Sequence, residues 1–271
     1  MRPRLLLVTD LGYPAAGRIY RDEDIDLAGR LRADFDVAMC HPLDAAPLMD
    51  GFDLVLVRNS GPVLHYAEQY AEFRRQALDA GTRVFTQLTG KADMAGKQYL
   101  LDLTAQGHPV IPTVDRAEDV GLLPPADEYV VKPKLGADSV GLRFASRAGV
   151  AALTGTGRLI QPRIRFRYEV SFYFVDRAFQ YALHAPDPDR RWDLVPYEPT
   201  AADRAFAQLF VDWNTVDHGI QRVDACRTED GELLLVELED LNPFLSLDRV
   251  PPATRDAFVA ALTASLLRML G

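Results

Sequence analysis

The segment GIQRVDACRTEDGELLLVELEDLNPF, residues 219–244, leaves the backbone few options. Asp230-Gly231 is a two-residue hairpin signal set between two stretches of alternating character. Counting outward from such a turn pairs Glu229 with Glu232, Cys226 with Leu235, Asp224 with Glu237 and Arg222 with Glu239. The period of two then places Val223, Ala225, Val236 and Leu238 on an apolar face. It gathers Arg222, Asp224, Glu237 and Glu239 on the other. Directly opposed side chains stand about 5 Å apart, and like charges there oppose pairing. A divalent cation would relieve that repulsion, because hard cations take carboxylate oxygens. A solvated face partly neutralised by Arg222 accounts for the pattern as well. The parity rests on the turn having two residues.

The rest of the chain supports a mixed architecture. Residues 4–8 (RLLLV) and 53–57 (DLVLV) are short apolar runs suited to buried parallel strands, with FDVAMC at 35–40 and TRVF at 82–85 as further strands. Helical stretches lie around 22–34 and 65–80, the second stopped by Gly81. This alternation predicts a small α/β unit with helices on a parallel sheet. From about residue 90 the pattern changes. GKQYLLDLTAQG (96–107) reads as a helix, HPVIPTV (108–114) as extended chain, and 127–144 as two strands joined by a glycine-bearing loop. Strands follow at 157–164, 168–175 and 178–185, the last two turning at Asp176-Arg177. A helix over 198–216 with Thr200 as N-cap precedes the hairpin, and an amphipathic helix over 252–270 closes the chain.

Composition narrows the function classes. The 271 residues are 48% hydrophobic and 25% charged, an ordinary globular balance. No apolar run approaches the roughly 20 residues that cross a bilayer, and the start MRPRLLLVTDLG reads as a first strand, so a cytoplasmic protein with no membrane partner is expected. Only Cys40 and Cys226 occur, without metal-type spacing. A net charge of −9 argues against general nucleic-acid binding, which needs a positive surface. A nucleotide needs only a local positive pocket. Lys132 ends the apolar strand YVVK and is followed by Pro133, Lys134 and the loop 135–141, which contains Gly136, Ser139 and Gly141. Glycines let backbone N–H groups approach phosphate oxygens, and a lysine supplies a point charge. An ordinary hairpin loop with surface lysines fits these residues too.

The order of parts goes further: Lys97 at a helix start, Gly107 at its end, PVIPT, YVVKP with its glycine loop, LIQPRI, YEVSF, the RVD strand and VELEDLNP. This series resembles the ATP-grasp superfamily over roughly residues 85–250. It is most similar to small carboxylate–amine ligases related to glutathione synthetase, D-alanine–D-alanine ligase and the ligase of D-cycloserine synthesis. The resemblance implies a fold of α/β and α+β parts. A Rossmann-like domain (1–84) would precede a small lobe with the glycine loop (85–164) and a C-terminal lobe with the metal site (165–271). It implies that Lys97, Lys132 and Lys134 meet ATP phosphates, with Gly136, Ser139 and Gly141 in the lid. Gln161, Arg163 and Ile164 would form the adenine hinge, Arg163 and Ile164 through backbone groups, and Glu169 would take the ribose. Asp224, Glu237 and Glu239 match the metal-binding acids for Mg²⁺ or Mn²⁺. The family's Glu-x-Asn reads Glu237-Leu238-Glu239 here, with Asn242 three residues on, so either Glu239 or Asn242 completes the set. Pro162 in the hinge departs from the pattern by removing one N–H donor.

The implied chemistry is attack of a substrate carboxylate on the γ-phosphate of ATP, then displacement of phosphate from the acylphosphate by an amine. Lys132 and Arg222 are the candidate catalytic residues, because phosphoryl transfer depends on positioning and charge neutralisation. For Arg222 a plain salt bridge to Glu239 is the other reading. His184, Arg18 and Arg21 are candidates for substrate contact. The partners are then a small carboxylate and an amine, probed in a soluble enzyme for which a homodimer is the default. Two rival readings remain: an ATP-grasp small-molecule kinase, and a non-catalytic nucleotide-binding regulator.

Overall fold

The computed structural model describes residues 2–12, 14–15, 18–59, 66–135, 141–187, 190 and 192–271, with the backbone alone for residues 14, 15, 18, 19 and 59. The chain begins with β1 (Arg4–Thr9), the short pair β2 (Pro14–Ala15) and β3 (Arg18–Ile19), α1 (Tyr20–Leu31), β4 (Asp36–Cys40), α2 (Ala45–Leu48), β5 (Leu54–Asn59), α3 (Ala67–Ala80) and β6 (Val84–Phe85). Strands β4-β1-β5-β6 form one parallel sheet. Its continuous apolar runs are explained by burial on both faces. Leu5, Leu7, Leu54 and Leu56 meet Leu27, Ala28 and Leu31 of α1. Leu6, Val8, Val55 and Val57 meet Tyr70, Phe73 and Ala77 of α3. Each such side chain removed from water contributes about 1.5–3 kcal/mol.

Next come α4 (Tyr99–Ala105), β7 (Tyr129–Pro133), β8 (Arg143–Ala145), α5 (Arg147–Ala151) and β9 (Arg158–Pro162). Strands β8-β7-β9 make a small antiparallel sheet whose Tyr129, Val131 and Ile160 pack with Val120, Leu123 and Val150. The remaining elements are β10 (Phe166–Val175), β11 (Ala178–Ala185), β12 (Val195–Pro196), α6 (Ala201–Asn214), β13 (Ile220–Thr228), β14 (Leu233–Glu239) and α7 (Pro252–Arg268). They build a five-stranded antiparallel sheet, β12-β11-β10-β13-β14. Thr200 caps α6 in a reciprocal capping box with Asp203, as the sequence predicts. Asp176 takes φ +56° in the β10–β11 turn, where its carboxylate accepts the Gly219 N–H at 3.1 Å and the Ser265 hydroxyl at 2.6 Å.

The two faces of the large sheet differ in kind. Val170, Phe172, Phe174, Ala182, Val223, Ala225, Leu235 and Leu238 pack against Ala207, Phe210 and Val211 of α6 and Leu100 and Leu103 of α4. On the reverse face Tyr173, Val175, Tyr181 and Leu183 join Phe258, Leu262 and the α1 side of the first sheet in one core. That core covers part of the reverse face. The rest carries the polar residues of β10, β13 and β14.

The hairpin corrects one expectation. The turn holds three residues, Glu229, Asp230 and Gly231: Thr228 N–H donates to Glu232 O at 2.9 Å, and Gly231 N–H donates to Thr228 O at 3.1 Å. Gly231 adopts φ +94°, a conformation only glycine takes without strain. A bulge between Asp224 and Ala225 absorbs the extra residue, because Ala225 pairs with Leu235 while Asp224 pairs with Glu237. The expected Asp224–Glu237 and Arg222–Glu239 pairs therefore stand, but Cys226 faces Leu234, not Leu235. Leu235 takes the apolar position predicted for Val236, which instead lines the cleft beside the acids.

Candidate active site

Residues two apart on a strand share a face. Arg222 and Asp224 on β13, Glu169 and Ser171 on β10, and Glu237 and Glu239 on β14 therefore line one cleft of about 100 Å³ with Tyr20, Tyr173, Trp192, Leu194 and Phe244. Arg222 is its electrostatic centre. Nε bonds both Asp224 oxygens at 2.9 and 3.1 Å, Nη2 bonds Asp224 Oδ2 at 2.8 Å and also Glu239, and Nη1 donates to Phe244 O at 3.1 Å. Burial works against the Arg222 charge, yet Asp224 and Glu239 hold its pKa well above the ordinary arginine value. Burial pushes Glu239 up to about 8, against the pull of Arg222. Asp224 also accepts the Ser171 hydroxyl at 2.6 Å.

Lys97 approaches the same acids from a different part of the chain. Its buried ammonium lies 3.3 Å from Asp93 Oδ1 and forms an ion pair with Glu237. Lys97 stands just before α4, not within it, and its N–H donates to Lys134 O at 2.9 Å, which ties it to the end of β7. Asp93 is the residue the sequence reading missed. One carboxylate oxygen each from Asp93, Glu237 and Glu239 lie within 4.8 Å of one another, a hard-oxygen set that fits Mg²⁺ or Mn²⁺. Lys97 and Arg222 already show that this set draws cations.

Asp93 is placed by Asp240. The fully buried Asp240 carboxylate accepts Met94 N–H at 2.8 Å, Ala92 N–H at 3.2 Å and the Asn214 amide at 3.1 Å. Burial raises its pKa to about 6, against those donors. Gly90 makes room for it: a Cβ there would stand 2.2 Å from Asp240 Oδ2. In sequence Asp93 is one acid in a loop without period, and only tertiary contacts bring it to β14.

The other candidates distribute unevenly. Lys132 sits half-buried at the end of β7, opposite Leu159 of β9. Lys134 turns to Asp115 at 2.7 Å and Gln98 at 3.1 Å. Gly136 and Ser139 fall outside the described residues, and Gly141 closes that loop. Gln161 is buried, its amide donating to Thr113 Oγ1 at 2.8 Å, so it anchors the PVIPT segment to β9. The Arg163 N–H already donates to Glu128 O at 2.9 Å, which leaves its carbonyl and the groups of Ile164 for any purine edge. The Arg163 guanidinium lies 4.6 Å from the Phe144 ring centroid.

One placement runs against the sequence expectation. His184 pairs with Val170 and lies on the α6 side of the sheet, away from the acids, its ring between Tyr168 and Tyr197 at 5.3 and 5.2 Å. Burial lowers its pKa. Asn242 offers its main-chain carbonyl to Tyr20 OH at 3.2 Å. Arg21 is exposed and donates to Leu11 O at 3.1 Å. The side chain of Arg18 lies outside the described residues.

No protein-family model matches the chain. The cycloserine biosynthesis protein DcsG of Streptomyces lavendulae is 28% identical over 221 residues, 67% of this chain and 74% of that protein. The crystal structure of D-cycloserine synthetase DcsG superposes with a TM-score of 0.72 at 25% identity, covering 97% of this chain and 99% of that one. The D-alanine–D-alanine ligase of Bacillus anthracis, complexed with ATP, shares the fold at TM-score 0.66 and 14% identity, with 100% and 98% covered. So does the ATP-grasp ligase PsnB, complexed with a precursor variant, Mg and ADP, at TM-score 0.65 and 13% identity over 100% of both chains. The mixed parallel and antiparallel sheets match these folds, and no described helix is long and apolar enough to cross a membrane. In fold and in sequence this chain is similar to the ATP-grasp ligases, enzymes that form C–N bonds.

Proposed function

We propose that this enzyme joins a small carboxylate to an amine at the expense of ATP, through an acylphosphate, releasing ADP and phosphate. The observation that carries this reading is the single sheet face that gathers Glu169, Arg222, Asp224, Glu237 and Glu239, with Lys97 set against them. Lys97 and Lys132 bind phosphate oxygens, and the hinge at Gln161 to Ile164 receives adenine. Glu169 accepts the ribose hydroxyls. Glu237 and Glu239, with Asp224 and Asp93 at either side, would hold Mg²⁺ or Mn²⁺, which supplies the charge that neutralises the phosphates.

Arg222 stands beside the transferring phosphoryl group, where its planar fork matches developing negative charge. A substrate carboxylate oxygen bonds the γ-phosphorus as the bond to ADP breaks. The amine then bonds the acyl carbon, phosphate leaves with the C–O electron pair, and the amine proton passes to solvent. The cleft of about 100 Å³, bounded by Tyr20, Trp192, Leu194 and Phe244, suits an amino-acid-sized acyl group. The cycloserine-related likeness favours the same size class. In this reading residues 1–84 form a Rossmann-like substrate domain, and 85–164 and 165–271 are the two lobes that enclose nucleotide.

Calorimetric titration with a non-hydrolysable ATP analogue, with and without Mg²⁺, tests the proposal. Mg²⁺-dependent binding that is lost in Lys132→Ala and in Asp224→Ala is expected. Screening amino-acid pairs for ADP release then identifies the substrates. Absence of nucleotide binding under both conditions would sink the reading.

A further inference from the structure

The loop that follows β14 is gripped from two sides. On one side Arg222 Nη1 donates to Phe244 O at 3.1 Å. On the other, the carboxylate of Glu23, in the first turn of α1, accepts Leu245 N–H at 2.8 Å and Leu247 N–H at 3.0 Å. Between those two amides Ser246 takes φ +52°, a left-handed conformation that serine holds only when its surroundings impose it. Arg58 of β5, fully buried, donates from both terminal nitrogens to Pro243 O at 3.1 Å. It also reaches Glu23 at 3.4 Å and Asp24 at 3.0 Å, and Asp24 in turn accepts the Thr9 hydroxyl at 2.6 Å. Tyr20 adds a hydrogen bond to Asn242 O at 3.2 Å and an edge-on contact with the Phe244 ring at 4.9 Å. Every residue from 242 to 245 is thus held by α1, β5 or the large sheet, the last through Tyr181 OH to Leu245 O at 2.7 Å.

We propose that Glu23 and Arg58 are positioning residues for Arg222: they fix the Phe244 carbonyl that orients the guanidinium. The proposal rests on the reading of Arg222 as the basic group beside the transferring phosphoryl. A residue of the first sheet unit, some 200 positions away in sequence, then sets the geometry of the transfer, and small displacements of such a group cost rate steeply. A structural role alone does not require this chain of contacts to end on Arg222. The buried pair Arg58–Asp24 would hold the first unit together without Glu23 turning to the loop.

The test reads Arg222 directly, in ¹⁵N-arginine-labelled protein. Its Nε–H resonance is assigned by its disappearance in Arg222→Lys, and its exchange with water is measured in wild type and in Glu23→Gln. Glutamine cannot accept both amides with two equivalent oxygens. Exchange at Arg222 is expected to quicken about tenfold, the effect of weakening about one hydrogen bond. Arg227 Nε, bonded at 3.3 Å to Tyr168 OH on the opposite face of the sheet, is the internal control and is expected to be unchanged. Equal acceleration at both would mean general loosening and overturn the proposal, as would no change at Arg222. If Glu23→Gln fails to fold, Arg58→Lys, which replaces the two-nitrogen grip on Pro243 O with a single ammonium, is read against the same two outcomes. Nucleotide binding, measured alongside, tests the functional reading separately: its absence in wild type overturns that reading and leaves the Arg222 result standing.

Discussion

Asp240 is never seen by solvent, yet the arrangement of the acids depends on it. Replacing it with alanine leaves the Ala92 and Met94 amides buried without an acceptor, which is expected to cost about 2–4 kcal/mol in urea unfolding and to release the turn that carries Asp93. Gly90→Ala pushes a methyl group into the same carboxylate and is expected to destabilise by about 1–3 kcal/mol. Asp93→Asn is a finer probe, since it retains shape and removes charge. If Asp93 contributes to metal binding, calorimetry is expected to show nucleotide affinity in Mg²⁺ weakened by about ten- to a hundredfold, with affinity in the absence of metal unchanged. Equal loss in both conditions would remove Asp93 from the metal set. The acids of β13 and β14 were legible in sequence because a strand has a fixed period. Asp93 was not, because no period links a loop at residue 93 to a strand end at 239.

At the scale of elements, the hairpin shows how a correct pairing can follow from an incorrect turn. A three-residue loop shifts the register by one, and the bulge at Val236 shifts it back before the acids are reached. The Asp-Gly signal told of a turn but not of its length, and a bulge has no reliable signature in a run such as Leu-Leu-Leu-Val. Strand and helix order was otherwise readable: apolar runs mark the buried parallel strands, and Thr200 marks the start of α6. His184 was misplaced for a related reason, since the face of a strand residue depends on register with neighbours and not on its own surroundings in sequence. Gly231→Ala forces a side chain into φ +94° and is expected to lower stability by about 1 kcal/mol, with Mg²⁺-dependent nucleotide binding retained. Loss of binding together with stability would show that the turn, and not the bulge, sets the position of the acids.

For the molecule as a whole, buried carboxylates set the response to pH. Burial raises Glu23 from its ordinary 4.5 to about 7 and Asp240 from 3.8 to about 6. Between those values the folded protein holds more protons than the unfolded chain, so stability falls as pH rises. The melting temperature is expected to be higher near pH 5 than near pH 8, with most of the loss between pH 5 and 7 and less of it in Glu23→Gln. A melting temperature that climbs over the same window would show that both carboxylates are ionised in the folded state throughout.

The shared core at α7 carries a consequence for recombination. The last helix of the chain packs at once on α1 of the first sheet unit and on Tyr181 and neighbouring residues of the large sheet. Residues 1–84 are therefore not a detachable cartridge. A chimera that takes that segment from a relative inherits one half of an interface whose other half is written in the final twenty residues. Grafting of that segment is expected to yield folded protein only when the segment around Phe258 and Leu262 is exchanged with it.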